Sequence, residues 1–244
     1  MELTILHLYP DCMSLYGEYA NAAVLRRHLE AMGVTVAVRE IGFEDEMDFS
    51  GGDLLYMGAG TERRQKSVLA DLARCADAFK AAVDGGAAVL FTGNAMETLG
   101  ASVTDAAGKV WPGLGLADFT TVETDKRSPG DVVAVSDLWD SSSPVVGFMN
   151  KCSVTHGVDT PLFRALPLGF GNDAEHGAEG FVSGDVFATH ITGPVLVKNP
   201  QLLDLLIRRL FARKGWEVPE QLPVLPHERE AYAVTLRELQ ARIK

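Results

Sequence analysis

Short apolar runs alternate with amphipathic segments over the first part of the chain, and this alternation restricts the possible folds more than any other feature. The segments at 21–32 and 65–83 have apolar residues at helical spacing, and glycines follow both. Around them lie runs with the length and apolar content of buried strands, at 3–9, 35–39, 53–57 and 87–91. Strands that alternate with helices predict an α/β fold with a mostly parallel central sheet and helices on both faces.

The second half of the chain has a different pattern. Strand-like segments there are separated by Gly, Ser and Asp turns, at 120–124, 132–136, 145–149 and 181–189. They predict an antiparallel extension of the sheet. The segment 199–214 has apolar residues at helical spacing and predicts one further helix.

Prolines beyond Trp216 indicate a boundary near the end of the chain. Three of them lie between residues 217 and 227 and predict a linker, and the charged segment 228–244 predicts a terminal helix. We therefore expect one domain over 1–215, followed by a linker and C-terminal helix over 216–244. This helix is either solvated or docks on a partner.

Composition restricts the classes of partner and cofactor. The formal net charge of −11 argues against nucleic acid or an anionic membrane as the main partner, because both require clustered Lys and Arg. The chain has no signal-peptide pattern and no run close to the roughly 20 apolar residues of a membrane span, so we expect a cytoplasmic protein. Its three cysteines lack the spacing of a disulfide framework or a metal site, and no metal or other cofactor is predicted.

The turn after the third predicted strand is rich in glycine. Ligands of open parallel sheets bind beyond the carboxyl ends of the strands, where this turn lies. Gly58 and Gly60 allow backbone N–H groups to face an anion or a developing oxyanion. A simple tight turn explains the glycines equally well.

The fourth predicted strand leads into a second candidate site, at 89–97. A strand that enters a sharp turn of small residues and then a helix has the arrangement of a nucleophile elbow. No Cys or Ser occupies its tip, which holds Thr92, Gly93 and Asn94. As the last strand residue, Thr92 is expected to point sideways.

Short motifs follow one another in a fixed order between residues 3 and 212. They are Leu8-Tyr9-Pro10-Asp11 with Leu15-Tyr16-Gly17-Glu18 and Asn21, the stretches 58–63 and 92–100, Gly113-Leu114-Gly115-Leu116, Gly147-Phe148-Met149-Asn150, Gly169-Phe170-Gly171-Asn172 with Glu179-Gly180, and 189–194 with Lys198-Asn199-Pro200. This order resembles that of class I glutamine amidotransferases of the cobyric acid synthase type, most of all the glutaminase subunits of lipid II isoglutaminyl synthases. The resemblance implies their fold, a glutamine site and a Mur-ligase-like partner.

The positions that match the family's catalytic Cys and His hold other residues here. The family's elbow motif, Cys-Gly-Gly-Tyr-Gln, places its Cys at Gly93 and its Gln at Glu97. The family's His precedes a Gly-Pro pair and falls at Thr192, while His190 lies two residues earlier and shares its face if this segment is a strand. Glycine cannot attack an amide and threonine cannot act as the base, so the match predicts a subunit without glutaminase activity.

Other parts of the family's substrate site are retained. Arg127 matches the arginine that holds the glutamine carboxylate, a role that suits a planar guanidinium; an exposed loop arginine explains the residue equally well. By the same resemblance, Gly58, Gly60 and Asn94 surround a pocket for glutamine or a related amino acid.

Three hypotheses about function stay open. The leading one is a catalytically silent amidotransferase-fold subunit that acts with a Mur-ligase-like protein in cell-wall amidation. A stand-alone domain resembles a separate subunit more than it resembles a fusion to a synthetase domain, and this favours a cell-wall role over a cobamide pathway. The second is an active enzyme with a relocated nucleophile, Cys152 or Cys12, and a relocated base, His190 or His156. The third is a small-molecule-binding or scaffold protein outside amide metabolism.

Overall fold

The computed structural model describes residues 1–173, 177–223, 225 and 227–243. Within this part of the chain the strands are β1 (Glu2–Leu8), β2 (Thr35–Ile41), β3 (Leu54–Met57), β4 (Ala88–Thr92), β5 (Ser102–Thr104), β6 (Val110–Pro112), β7 (Thr120–Val135), β8 (Val145–His156), β9 (Ala165–Leu168), β10 (Phe181–Ser183) and β11 (Val186–Thr189). The helices are α1 (Tyr19–Ala31), α2 (Glu62–Leu72), α3 (Ala76–Asp84), α4 (Val195–Lys198), α5 (Pro200–Arg213) and α6 (Glu228–Gln240), with 3-10 turns at Leu15–Gly17 and Gly93–Leu99. Of the described helices, none combines the length and apolar character needed to cross a bilayer.

The main sheet has six strands in the order β10-β11-β4-β3-β1-β2. All neighbours in it pair in parallel except β10 and β11, which are antiparallel. Strands β3 and β4 are buried along their whole length, which accounts for their continuous apolar sequences. The predicted α/β fold with a mostly parallel sheet is confirmed.

Helices cover both faces of this sheet. Along β1, Leu3 and Ile5 point into a core shared with α1 and α5, whereas Leu6 and Leu8 point into a core shared with α2 and α3. This alternation follows from the two-residue period of a strand. Because β3, β4 and β11 pair in parallel, their carboxyl ends lie at one edge of this layer.

Most antiparallel strands of the second half form a second sheet, in the order β6-β5-β7-β8 with β9 paired to β7. Among the described residues, only β10 adds an antiparallel strand to the main sheet. The segments 120–124 and 132–136, expected as two strands, are the two ends of β7. The register of β7 against β8 shifts between Glu123 and Ser128, and this irregularity carries Arg127.

The prediction of one helix over 65–83 is wrong, because α2 and α3 are separate. The helical conformation is interrupted at residues 73–75, where the N–H and the thiol of Cys75 both donate to the carbonyl of Leu72. The apolar positions of both helices face the same core, so the helical spacing continues across the break and hides it in the sequence.

The C-terminal helix α6 packs on the second sheet of its own chain. Leu239 is buried against Val133 and Val146. At the start of α6, the Glu228 carboxylate lies 2.8 Å from Nε2 of His28 in α1. Val224 and Pro226 of the predicted linker and Lys244 of the predicted helix lie outside the described residues.

Candidate functional site

A cavity of about 260 Å³ opens at the carboxyl ends of β3 and β4, between the main sheet and the β7–β8 hairpin. It collects residues from segments that are distant in sequence. Predicted site residues that line it are Gly60, Gly93, Asn94, Arg127, Cys152, His190 and Thr192; the others are Leu15, Tyr16, Ala59, Thr61, Glu62, Glu97, Glu123, Asn150, Lys151 and Ser153.

The elbow position is closed to a side chain. Gly93 follows β4 directly and has a φ of +61°, a conformation that L side chains rarely adopt. A side chain there would place its Cβ 2.4 Å from the Cβ of Ala59, in the glycine-rich turn after β3. The Ala59 methyl group therefore occupies the space that a nucleophile at Gly93 would need.

The backbone donor expected to stabilise an oxyanion already has a partner. The N–H of Gly60 donates to Oδ1 of Asn94 at 2.9 Å. The backbone carbonyl of Asn94 in turn accepts from Nε2 of Gln65 at 2.7 Å, which fixes the elbow against α2. Gly60 and Asn94, both predicted to bind substrate, are thus hydrogen-bonded to each other through the N–H of Gly60 and Oδ1 of Asn94.

Thr192 is held by a buried carboxylate. Its Oγ1 donates to Oε1 of Glu18 at 2.6 Å, and the N–H of Gly193 donates to the same oxygen at 2.8 Å. The hydroxyl of Thr92 donates to Oε2 of Glu18. Burial raises the pKa of Glu18 despite these hydrogen bonds, of which the one from Thr192 opposes burial most. The Thr192 side chain carries no basic atom.

His190 lies at the floor of the cavity between two carboxylates. Its Nδ1 is 3.0 Å from Oε1 of Glu179, and its Nε2 is 3.4 Å from Oε1 of Glu97. Although burial acts to raise it, the pKa of Glu97 lies below its ordinary value, because of the neighbouring His190 imidazole and the hydrogen bonds donated by Ser153 and Gln65. Strand β11 ends at Thr189, and His190 and Thr192 follow it into the cavity.

Cys152 faces a carboxylate at the rim. Its Sγ donates to Oε1 of Glu62 at 3.2 Å, and Nη2 of Arg127 lies 3.4 Å from the sulfur. Burial, together with the hydrogen bond to Glu62, raises the pKa of Cys152 to about 11 and outweighs the charge of Arg127. A cysteine nucleophile attacks as its thiolate, so this thiol is not activated at neutral pH.

Three predicted residues lie outside the cavity. Gly58 packs against Met13 and Glu18, where an added Cβ would lie 2.6 Å from the Cβ of Glu18. Cys12, expected over the pocket, is half-buried in the turn after β1 and packs against the core on the α2 side. His156 is exposed at the far end of β8, four residues beyond Cys152, which is about 13 Å along a strand.

Sequence reasoning assigned no role to the acidic residues that organise this site. Glu18, Glu62 and Glu179 stand inside motifs that carry the family resemblance, next to residues that were singled out. The sequence carries no signal for Glu18, which has exposed Tyr16 and Tyr19 beside it, or for Glu62, which opens the polar start of α2. Glu18 and Glu179 both have no exposed surface, which a carboxylate reaches only with partners.

The fold agrees with comparisons to known proteins. A family model described as a CobB/CobQ-like glutamine amidotransferase domain matches residues 4–200. The crystal structure of a glutamine amidotransferase superposes with a TM-score of 0.53 at 14% identity, covering 86% of this chain and 98% of that one. The chain belongs to the CobB/CobQ-like glutamine amidotransferase family.

Two relatives cover nearly the whole chain. The GatD subunit of the glutamine-hydrolyzing lipid II isoglutaminyl synthase of Staphylococcus aureus (strain N315) is 29% identical over 232 residues, 95% of this chain and 93% of the relative. The GatD subunit of the same synthase from Streptococcus pneumoniae (strain ATCC BAA-255 / R6) is 28% identical over 226 residues, 91% of this chain and 85% of the relative. Their similarity extends beyond residue 200, where the family match ends.

Proposed function

We propose that this chain is an amidotransferase-fold subunit without glutaminase activity, which acts with a Mur-ligase-like partner in the cytoplasmic amidation of lipid II. The observation that carries the first part is the contact between Gly93 and Ala59, because it leaves no space for a nucleophile at the elbow. The second part rests on the two relatives, which are named as subunits of lipid II isoglutaminyl synthases.

Amide hydrolysis requires a nucleophile, a base and a free donor for the oxyanion, and this site offers none of them at the family's positions. Gly93 provides no sulfur or hydroxyl for attack, and Thr192 cannot accept the proton that the reaction moves. The N–H of Gly60, which would stabilise the tetrahedral intermediate, donates to Asn94. Loss of a nucleophile or its base alone lowers turnover by roughly 10⁶ in a well-studied hydrolase, so the expected residual activity is negligible.

The other end of the cavity is suited to bind a ligand. Arg127 and Gly93 line the same cavity, whereas a scaffold outside amide metabolism would be expected to separate them and fill the space with side chains. Glutamine or a related amino acid is the ligand that we propose. Its binding would control the partner without releasing ammonia.

The experiment is a coupled assay of ammonia release from L-glutamine. The chain is tested alone and after co-expression with a Mur-ligase-like protein of the same organism, beside the Staphylococcus aureus relative as a positive control. We expect release from the control and none above background from this chain in either form. Release comparable to that of the control would refute the silent subunit.

One observation favours an active enzyme as a second candidate. Nδ1 of His190 lies 3.0 Å from Oε1 of buried Glu179, and a carboxylate in this position orients the imidazole of a catalytic histidine. A nucleophile is then required from Cys152 or Cys12. A glutamine-analogue electrophile that labels one of them selectively, together with loss of ammonia release in the matching Cys→Ala variant, would establish this candidate.

A further inference from the structure

We propose that Glu62 selects the ligand of this cavity. Glu62 competes with a ligand carboxylate for Arg127 and accepts a hydrogen bond from the ligand ammonium. The site therefore binds zwitterionic α-amino acids and rejects simple carboxylates. This inference rests on the proposed function, in which Arg127 holds a ligand carboxylate. It adds a residue that discriminates between two classes of carboxylic acid.

Glu62 holds the side of Arg127 that a ligand would need. Nη2 of Arg127 donates to Oε1 of Glu62 at 2.5 Å, while Nη1 lies 3.4 Å from both the backbone oxygen and Oδ1 of Asn150. The short contact is therefore to Glu62, and the contacts to Asn150 are at the limit of hydrogen bonding. A carboxylate that binds the guanidinium through both nitrogens must displace the Glu62 side chain.

The ion pair between Glu62 and Arg127 is partly exposed, so little free energy is needed to separate the two side chains. The two side chains are 34% and 45% exposed, and a salt bridge with that much solvent access contributes little to stability. Glu62 is the first residue of α2, and Thr61 caps this helix by accepting from the N–H of Arg64. The backbone of Glu62 is thus fixed at the rim. Its side chain is held by Arg127 and by the Cys152 thiol, which donates to Oε1 at 3.2 Å, and both contacts are given up when it turns.

Glu62 stays ionised when it turns. Burial acts to raise its pKa, but the hydrogen bonds from Arg127, from its own backbone N–H and from Cys152, with the charge of Arg127, together outweigh burial, and the pKa lies below its ordinary value. The N-terminal end of α2 also favours a negative charge at this position. When the ligand displaces Glu62 from Arg127, the ligand ammonium and the end of the helix replace the favourable charge of Arg127, so Glu62 remains a carboxylate beside the ligand.

Charge balance then decides which ligand is accepted. A simple carboxylate at Arg127 leaves two carboxylates around one guanidinium, and the second lacks a compensating charge. A zwitterion supplies an ammonium group for Glu62. The other carboxylates of the lining do not fill this role, because Glu123 is paired with Lys66 and Glu97 with His190.

The test is calorimetric titration of the full chain with two ligands of equal length. L-Glutamine carries an α-ammonium group, and 5-amino-5-oxopentanoic acid lacks it. We expect the wild type to bind L-glutamine at least about tenfold more tightly, since the difference is one unpaired charge. In Glu62→Gln this preference should disappear, with tighter binding of 5-amino-5-oxopentanoic acid, and Arg127→Gln should bind neither.

Glu123→Gln is the matched control, because it removes another carboxylate from the lining and should keep the preference. An unchanged preference in Glu62→Gln would overturn the role of Glu62 while leaving the silent subunit intact. Failure of wild type and all variants to bind either ligand would overturn the amino-acid site itself. The ammonia assay decides the absence of glutaminase activity independently of both results.

Discussion

The two ends of the cavity differ in how their side chains are held. At the elbow, Gly93 and Ala59 meet through packed carbon atoms, and Thr192 is tied to a carboxylate with no exposed surface. At the rim, Arg127 and Glu62 meet through an ion pair that water reaches. Close-packed atoms cannot make way for a new group without strain, whereas an exposed pair opens easily. Under the proposed function, the packed elbow is the end without chemistry and the solvent-accessible rim is the end that binds the ligand.

The packing at the elbow gives the largest expected effect. Gly93→Cys should lower the free energy of unfolding by about 3 kcal/mol, because it adds a clash with Ala59 to the strain of a left-handed residue. In an Ala59→Gly background the loss should fall to about 1–2 kcal/mol, the cost of the backbone conformation alone. Urea unfolding of the four proteins of this cycle measures both values.

Gly108→Cys is the control for that cycle. Gly108 also has a positive φ, of +81°, but an added Cβ there meets nothing within 4 Å. If Gly93→Cys costs no more than Gly108→Cys, the elbow is open and the contrast between the two ends disappears.

The thiol at the rim gives the next effect. Because the pKa of Cys152 is raised to about 11, its thiolate fraction at neutral pH is about a hundredfold below that of an ordinary cysteine of pKa about 9. In a variant with Cys12 and Cys75 replaced by Ala, iodoacetamide labelling should be slow and should rise about tenfold per pH unit up to that pKa. Glu62→Gln should accelerate labelling at neutral pH; labelling as fast as that of a free thiol would contradict the assigned environment.

The ion pair at the rim gives the smallest effect on stability. Arg127→Gln should change the free energy of unfolding by less than about 1 kcal/mol, the usual range for exposed pairs. Thermal and urea unfolding measure this change. A loss of several kcal/mol would mean that Arg127 supports the fold and is not free to exchange Glu62 for a ligand.

Local patterns predicted the elements of the fold better than their connections. The buried runs that became β3 and β4 are continuous apolar segments, which few other structures accommodate. The break at Cys75 and the union of two predicted strands into β7 were missed. The apolar spacing persists across the break, and the irregular middle of β7 has no strand pattern of its own.

The sequence also determined which chemical groups the site lacks. In the match proposed from the order of motifs, Gly93 and Thr192 stand at the positions of the family's Cys and His, and no folding event supplies a sulfur or an imidazole to those backbone positions. Any other chain with the same residues there would lack the same chemistry at these positions.

Only the tertiary structure decided what occupies the space instead. The methyl group of Ala59 lies against Gly93, Glu18 accepts from Thr192 across 174 positions of sequence, and Glu62 meets Arg127 across 65. These contacts join segments that the parallel sheet and the second sheet bring to one edge. Sequence spacing carries no information about such distances, because they depend on strand order and on the register of one strand against another.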